Sequence, residues 1–379
     1  MADVVSPDTL HDSMAQPPLT NGAATGLSNG HASLSKVPTE TSVTLGSHAL
    51  PNATIDGSSS PVKTPFIDPA PNTLAPPTRV LTPDQESKYT SLLTTARSWT
   101  TLPITSATPP KSLLTDAERI WLTRECLLRY LRASKWNLTN AATRLEATLL
   151  WRREYGIKDH TADYISEENE TGKQVILGYD NECRPCLYLN PQQQNTKRSD
   201  KQIHHLIYML ERCIDLMPPG TETLAMLVNF KESRKGDNAS AGQGRQVISI
   251  LQNHYPERLG KACMKDVPWV MWAFFKIINP FIDPLTKEKM KFDVDLRQVV
   301  PPEQLLTSYG GDCEFEYDHN AYWPALNGLV EEKRANMVKR WGAAGKRVGE
   351  SESYLKGAGE PVGPHEGEDA EEKSDEAVV

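Results

Sequence analysis

The sequence contains no stretch typical of a membrane span and no pattern typical of a secretory signal. A membrane helix needs about 20 predominantly apolar residues, and no window of the 379 residues has that composition. A charged start followed by an apolar segment is also absent. We therefore expect a cytoplasmic protein whose six cysteines remain free thiols in reducing surroundings.

The motifs of several common enzyme classes are missing as well. The sequence has no glycine-rich phosphate loop of the dinucleotide or Walker type and no G-x-S-x-G elbow. Its histidines lack the spacing of a zinc site, so we expect no metal. Cys183 and Cys186 form a C-x-x-C pair, but the pair enters a strand rather than a helix, whose dipole would lower the thiol pKa. A redox enzyme is thus a minor alternative to a protein without catalytic activity.

Acidic charge is concentrated at the two ends of the chain, whose net charge is −8. Residues 350–379 hold ten acidic and two basic residues, whereas residues 81–349 carry a net +3. A mildly basic middle fits contact with an anionic surface but is too weak a signal for nucleic-acid binding. Residues 1–82 are rich in Ser, Thr and Pro. We expect residues 1–82 and 350–379 to be disordered tails.

The patterning between these tails predicts a helical unit followed by an α/β domain. In residues 83–165, Thr115 and Glu118 have the spacing of a capping box that opens one helix, and a second helix follows. Residues 166–320 begin with a hairpin and then alternate helices with short apolar strands, which predicts a largely parallel sheet. Residues 321–349 are expected to form a C-terminal helix.

One apolar segment, from Val267 to Pro284, stands out within the α/β part. It contains two Trp, three Phe and three Ile, with Lys276 and Asp283 as its charged residues. Pro280 and Pro284 interrupt it, and it is too short for a membrane helix. A segment that is apolar on nearly all helical faces should be either fully buried or in contact with a membrane. A core element and a movable lid over an apolar cavity therefore both remain possible.

The flanks of this segment resemble the CRAL-TRIO lipid-transfer family, most closely the fungal phosphatidylinositol transfer proteins of the pleiotropic-drug-resistance type. The resemblance rests on "LLRYLRASKW", "YPERLGK", "PFIDPLTKEK", "YGGD" and "YWPAL", and it covers roughly Leu113 to Trp341. It implies a sheet floor and a helical gate over an apolar pocket that holds one phospholipid. The resemblance also implies that five aromatic residues lie in or beside that gate: Trp269, Trp272, Phe274, Phe275 and Phe281.

The resemblance also implies a site for the lipid headgroup, made of Lys135, Glu257, Thr286 and Lys289. Lys289 would neutralise the phosphate, Thr286 would hydrogen-bond it, and Glu257 would orient Lys289 or accept inositol hydroxyls. Without the resemblance, Glu257 and Lys289 would be interpreted as a surface ion pair of little energetic value. Ser134 stands where relatives have an arginine, so it removes one bidentate phosphate contact.

The implied function is exchange of phosphatidylinositol between membranes, in support of phosphoinositide and lipid homeostasis. We expect no efficient transfer of phosphatidylcholine, because the segment "KESRKGDNASAGQG" differs from that of relatives that carry it. The resemblance also implies a sterol or azole as a further ligand. It implies peripheral association with endoplasmic reticulum, lipid droplets or the cell cortex. The alternative is a lipid- or sterol-sensing module that presents phosphatidylinositol to a kinase without exchanging it.

Overall fold

The computed structural model describes residues 60–106, 110–233 and 240–363. The remaining parts of the predicted tails, residues 1–59 and 364–379, lie outside the described residues. The domain limits predicted at 83–165, 166–320 and 321–349 stay predictions. In chain order the helical part contains α1 (Pro83–Ser98), β1 (Thr101–Pro103), β2 (Lys111–Leu113), α2 (Asp116–Trp121), α3 (Arg124–Ala133), α4 (Leu138–Glu154) and α5 (Ala162–Asn169).

The first predicted helix is in fact two helices, α2 and α3. The capping box is present, since the Thr115 side chain accepts from the backbone N–H of Glu118 and the Glu118 side chain accepts from the backbone N–H of Thr115. The helix ends after six residues because Thr123 starts a new one: its hydroxyl accepts from the backbone N–H of Cys126 at 3.0 Å. A threonine hydroxyl in this position satisfies a donor that a continuous helix would have paired internally.

The second part of the chain confirms the α/β prediction. Its five strands lie in the order β3-β4-β5-β6-β7, in which β3 and β4 form the predicted antiparallel hairpin and all other neighbours are parallel. Its elements are β3 (Gln174–Tyr179), β4 (Pro185–Leu189), α6 (Lys201–Leu216), β5 (Leu224–Asn229), α7 (Ala241–His254), β6 (Leu259–Lys265), α8 (Trp269–Ile278), α9 (Pro284–Lys289), β7 (Met290–Phe292), α10 (His319–Ala343) and α11 (Glu352–Leu355).

The central strands bury both faces, each against a different layer. Leu227 and Cys263 belong to the main core, with residues of α6 and α10. Their sequence neighbours Val228 and Met264 belong to a separate cluster that includes Met271 of α8. Alternate side chains of a strand point to opposite faces, so the sheet separates the main core from the layer that α8 covers.

Backbone pairing orders part of the predicted N-terminal tail. The Val62 N–H donates to the Glu314 carbonyl at 2.7 Å, and the Glu316 N–H donates to the Val62 carbonyl at 3.0 Å. Tyr179 also donates its hydroxyl hydrogen to the Ile67 carbonyl at 3.1 Å. The disorder expected for residues 1–82 therefore does not extend to residues 60–82, because hydrogen bonds with distant residues and the packing of Val62, Phe66 and Ile67 against the main core hold this segment.

Buried charged groups likewise order the beginning of the acidic tail. Glu350 and Glu352 are 1% and 7% exposed, and Leu355 is fully buried. The Glu350 carbonyl accepts from the Arg124 N–H at 2.9 Å, which ties this segment to α3. Disorder was expected throughout residues 350–379, but Glu350, Glu352 and Leu355 are buried, because Arg129 and Arg258 compensate the Glu352 carboxylate and backbone N–H groups bind that of Glu350.

Between β7 and α10 the chain includes two 3-10 turns, Pro302–Gln304 and Thr307–Tyr309. Gly310 ends the second turn in a left-handed conformation with φ of 98°. A Cβ on Gly311 would lie only 1.9 Å from the Leu305 carbonyl oxygen. The second glycine is thus required by the close approach of two backbone segments.

Candidate functional site

The apolar segment of the sequence forms α8, a 3-10 turn over Asn279–Phe281, and α9. Pro284 occupies the first turn of α9, where a missing N–H costs nothing. Asp283 caps the same helix, because its carboxylate accepts from the Thr286 N–H at 2.9 Å. Burial alone would raise the pKa of Asp283, but hydrogen bonds from Thr286 and Gln252 lower it below its usual value.

Among the described residues, no helix combines the length and the apolar character of a membrane span.

One face of α8 packs on the sheet. Met271 and Ile278 are 6% and 5% exposed. Phe275 makes edge-to-face contacts with Phe230 and Phe292, at ring centroid distances of 6.4 and 5.5 Å. Phe274, half-buried, packs beside them. This face resembles an ordinary protein core.

The opposite face of α8 and the turn that follows it carry large apolar side chains that the described residues cover only in part. Trp269 is 83% exposed, and Trp272, Ile277 and Phe281 are each between 45% and 49% exposed. One face is therefore core and the other is open to solvent, and the movable lid over an apolar cavity stays a prediction. Clustered exposed side chains of this size are typical of a site for a partner or a membrane.

Contacts with α7 hold α8 and its C-terminal turn. Gly244 lets the helices approach, because a Cβ there would lie 2.7 Å from the Phe274 ring. The Gln252 amide donates to the Phe281 carbonyl at 2.9 Å and to the Asp283 carboxylate at 3.3 Å. The Arg245 guanidinium lies 4.6 Å from the centre of the Phe281 ring. We call Gln252 and Arg245, with the two residues they hold, the α7 latch.

Two cavities are described, and neither lies beneath α8. One is a groove of about 340 Å³ at the turn from α3 to α4, and the other is a 20 Å³ space behind Trp121 and Tyr130. In this conformation the aromatic rings of α8 occupy the space against the sheet. The apolar pocket expected under the gate therefore stays a prediction that requires α8 to move.

Three of the four predicted headgroup residues are neighbours around α9. Lys289 is half-buried and close enough to Glu257 and Asp283 for both carboxylates to act on its charge. Burial lowers the pKa of Lys289, the two carboxylates oppose that effect, and the charges of Arg184 and Arg79 add to it. Within the described residues Lys289 forms no ion pair of 4 Å or less. Its ammonium group is thus desolvated without a direct counter-ion.

Thr286 belongs to the same group through Asp283, to which its side chain and its backbone both bond. Lys135 lies elsewhere, exposed at the end of α3, where it lines the 340 Å³ groove with Ser134. No contact in the described part of the chain joins Lys135 to the other three residues. The Ser134 hydroxyl oxygen is buried without a described partner in this groove.

The backbone is unusual at two of the predicted residues. Lys135 has φ of 50° and Glu257 has φ of 56°, both in the left-handed region. Non-glycine residues rarely adopt it, and each such conformation costs on the order of 1–3 kcal/mol when the side chain gives no compensation. Six other non-glycine residues of the described part, among them Cys183 and Lys346, also lie in this region, so the conformation alone does not mark the site.

Sequence reasoning missed residues whose partners are distant in the chain. Arg132 donates to Glu257 in a very short contact and also binds Glu222 at 3.1 Å. Its position at the end of an amphipathic helix, three residues before Lys135, was the available signal. The latch residues Gln252 and Arg245 had no signal, because nothing in their local sequence indicates contact with α8.

The C-x-x-C pair has the environment of structural thiols. Cys183 and Cys186 are both buried and free, like the other described cysteines. Burial raises the pKa of the Cys186 thiol well above its ordinary value. A reactive thiol needs a lowered pKa and access to solvent, so the redox alternative has no support from this geometry.

Family models match two parts of the chain. The model of the CRAL/TRIO domain matches residues 169–311, and that of the CRAL/TRIO N-terminal domain matches residues 88–147. A crystal structure of Sfh5 is 16% identical, with a TM-score of 0.47, and the match covers 68% of this chain and 99% of that one.

Two curated relatives are much closer in sequence. A CRAL-TRIO domain-containing protein of Schizosaccharomyces pombe is 50% identical over 76% of this chain, but the match covers only 29% of that protein. The phosphatidylinositol transfer protein PDR17 of Saccharomyces cerevisiae is 43% identical over 64% of this chain and 73% of its own length. The chain thus spans less than a third of the first relative and nearly three quarters of the second.

Proposed function

This chain belongs to the CRAL/TRIO domain family, and we propose that it extracts single phosphatidylinositol molecules from one membrane and delivers them to another. The similarity to PDR17, which is named as a phosphatidylinositol transfer protein, supports this proposal. Membership of the family also indicates a binding and transfer protein rather than an enzyme. The finer assignments below rest on the residues themselves.

The observation that carries the proposal is the desolvated Lys289. A half-buried ammonium group has lost part of its hydration free energy, and direct contact with an anion would offset that loss. A lipid phosphate beside α9 would supply that anion, with Thr286 able to donate a hydrogen bond and Glu257 able to accept from inositol hydroxyls. Lys135, in the neighbouring groove, would contribute a further positive charge.

The acyl chains would occupy the layer between α8 and the sheet after α8 moves outward. Two chains of about 16–18 carbons gain roughly 25 kcal/mol on burial, at ~0.8 kcal/mol per CH₂ group. A bilayer offers the same apolar surroundings, so exchange between membrane and protein is close to neutral. The exposed Trp269 and Trp272 would contact the membrane during exchange, and the headgroup site would select the lipid.

A vesicle assay tests the site assignment. Donor vesicles contain fluorescent phosphatidylinositol with a quencher, and transfer to acceptor vesicles is recorded as the rise in fluorescence. The Glu257→Ala, Lys289→Ala double variant should lose transfer, because the phosphate loses its cation and the inositol its acceptor. Its circular dichroism spectrum and melting temperature should stay close to wild type.

The matched control is Lys287→Ala, which removes a lysine from the same short helix without changing the group around Glu257. It should transfer at the wild-type rate. Unchanged transfer by the double variant would refute the assignment of Glu257 and Lys289. Efficient transfer of phosphatidylcholine by the wild type would refute the expected preference for inositol lipid.

The second candidate is a sensing module that holds phosphatidylinositol and presents it to a kinase. The α7 latch favours retention of a bound lipid, because its hydrogen bonds must break before α8 can move. Lipid release into buffer with and without acceptor vesicles separates the two functions. A sensor retains its lipid in both conditions, whereas a transfer protein releases it only to vesicles.

Three expectations from the resemblance stay proposals of lower priority: a sterol or azole as an additional ligand, a role in lipid homeostasis, and association with endoplasmic reticulum, lipid droplets or the cell cortex. No contact among the described residues favours a sterol over a phospholipid. Lipid extraction from protein purified from its own host, followed by mass spectrometry, identifies the resident ligand directly.

A further inference from the structure

The segment after α10 places a carboxylate deep in the helical unit. Glu352 accepts hydrogen bonds from the Thr123 hydroxyl at 2.7 Å and from the Arg129 guanidinium at 2.6 Å. The Arg258 guanidinium lies 3.6 Å from the same carboxylate. Burial alone would raise the pKa of Glu352, but Arg129 and Arg258 hold it well below its usual range. Glu352 is therefore a charged group inside the protein.

From Glu352 a series of ion pairs leads to the candidate headgroup site. Arg129 binds Glu222 at 2.8 Å with its other terminal nitrogen. Arg132 binds the same Glu222 oxygen at 3.1 Å and contacts Glu257 through its Nε. We call these five residues, in the order Glu352, Arg129, Glu222, Arg132 and Glu257, the charge chain. Alternating signs connect every member to the next by direct contact.

Water has limited access to the charge chain. The side chain of Arg129 is 3% exposed and that of Arg132 is 12% exposed. Charges in such surroundings are poorly screened, so a change at one pair affects the next. Glu352 lies outside residues 88–147 and 169–311, which the two family models match.

We propose that Glu352 is a positioning residue that sets the availability of Glu257 for the lipid headgroup through the charge chain. This inference rests on the proposed function. Arg129 divides its hydrogen bonds between Glu352 and Glu222, and Arg132 divides its own between Glu222 and Glu257. Each arginine is shared, so the C-terminal segment determines how strongly Arg132 holds the headgroup residue.

The direction of the effect follows from this sharing. If Glu352 is neutral, Arg129 binds Glu222 more strongly and withdraws it from Arg132. Arg132 then pairs with Glu257 alone, and Glu257 is less able to act on Lys289 or on an inositol hydroxyl. Removal of the Glu222 charge should act in the same direction and more strongly, because Glu222 contacts Arg132 directly.

The test measures phosphatidylinositol transfer by the full chain while the fraction of this lipid in donor vesicles is varied. Glu352→Gln should raise the half-saturating fraction about threefold and leave the maximal rate unchanged, within the range that residues of one network show. Glu222→Gln should raise it further. Glu352→Asp, which keeps the charge, should recover most of the wild-type value.

The matched control is Glu350→Gln. Glu350 is a buried glutamate of the same segment, but its carboxylate accepts from the Ser351 and Val362 N–H groups and has no described contact with the charge chain. This variant should keep the wild-type half-saturating fraction even if its melting temperature falls. An equal rise in Glu350→Gln would mean a merely structural role and would overturn the inference.

A double-variant comparison separates the inference from general damage to the fold. If Glu352 acts through Glu257, Glu352→Gln should add nothing to the loss caused by Glu257→Gln. Additive losses would refute the positioning role. If Glu352→Gln fails to fold, Glu222→Gln, whose side chain is 28% exposed, makes the same comparison. A wild-type protein that transfers no phosphatidylinositol would instead refute the proposed function.

Discussion

The exposed face of α8 gives a sharp prediction for Trp269. A tryptophan offers up to about 250 Å² of contact area, and 83% of this side chain is exposed. About 200 Å² of mostly apolar area is thus available, worth at most ~5 kcal/mol at ~25 cal/mol/Å². Partial immersion of the side chain in the membrane interface would gain about half of this free energy. Trp269→Ala should therefore weaken vesicle binding on the order of 60-fold, since 1.4 kcal/mol corresponds to tenfold.

The assay is flotation with lipid vesicles, combined with urea unfolding of the same protein. Trp269→Ala should keep the wild-type unfolding free energy, because its side chain packs little against the protein. Met271→Ala, on the buried face of the same helix, should do the reverse and destabilise the fold by about 2–5 kcal/mol. Wild-type vesicle binding by Trp269→Ala would refute the assignment of the exposed face to membrane contact.

Two further predictions concern stability. Gly311→Ala should destabilise the fold by about 1–3 kcal/mol in urea unfolding, because its Cβ would lie 1.9 Å from the Leu305 carbonyl oxygen. Gly328→Ala, with open space around it in α10, should instead stabilise by about 0.5–1 kcal/mol, and equal effects would contradict this reasoning. Burial alone would raise the pKa of Glu211, but Arg152 lowers it from 4.5 to about 2. The contribution of the Glu211 carboxylate to the free energy of unfolding, roughly 3 kcal/mol, is complete above pH 4.5 and is lost as the pH falls towards 2. Glu211→Gln should be less stable than the wild type at pH 7, and its free energy of unfolding should fall less between pH 4.5 and 2. An unchanged pH dependence of the unfolding free energy in this range would refute this reasoning.

The elements that sequence reasoning predicted well are those with a local pattern. The alternation of strands and helices gave the parallel sheet, and the capping box at Thr115 gave the start of α2. The end of α2 could not be predicted, because Thr123 stands among good helix formers. Its hydroxyl accepts from the Cys126 N–H and donates to Glu352, which is 229 residues away. Only tertiary contact reveals that partner.

The same reason explains the errors at the tails and the gaps in the site. Composition describes Glu350 and Glu352 as part of an acidic tail, since it contains no information about the arginines that bind Glu352 or the backbone N–H groups that bind Glu350. Glu257 and Lys289 were predicted through motifs of the family. Arg132 was not, because its pairing with Glu257 spans 125 residues and its place three residues before Lys135 gave the available local signal without naming that partner.

The exposed helix and two of the proposed headgroup residues, Thr286 and Lys289, belong to one continuous piece of chain, which couples their motions. Between β6 and β7 the chain forms α8, a 3-10 turn and α9, so α8 cannot move outward without a force on the residues around Asp283. Gln252 holds this joint from α7 through both the Phe281 carbonyl and the Asp283 carboxylate. Asp283 in turn bonds Thr286 and acts on the charge of Lys289. Binding of a phosphate at Lys289 and of an acyl chain under α8 would therefore both act on the contacts of the α7 latch. Under the proposed function, lipid entry and headgroup recognition would then be parts of one conformational change rather than two separate steps.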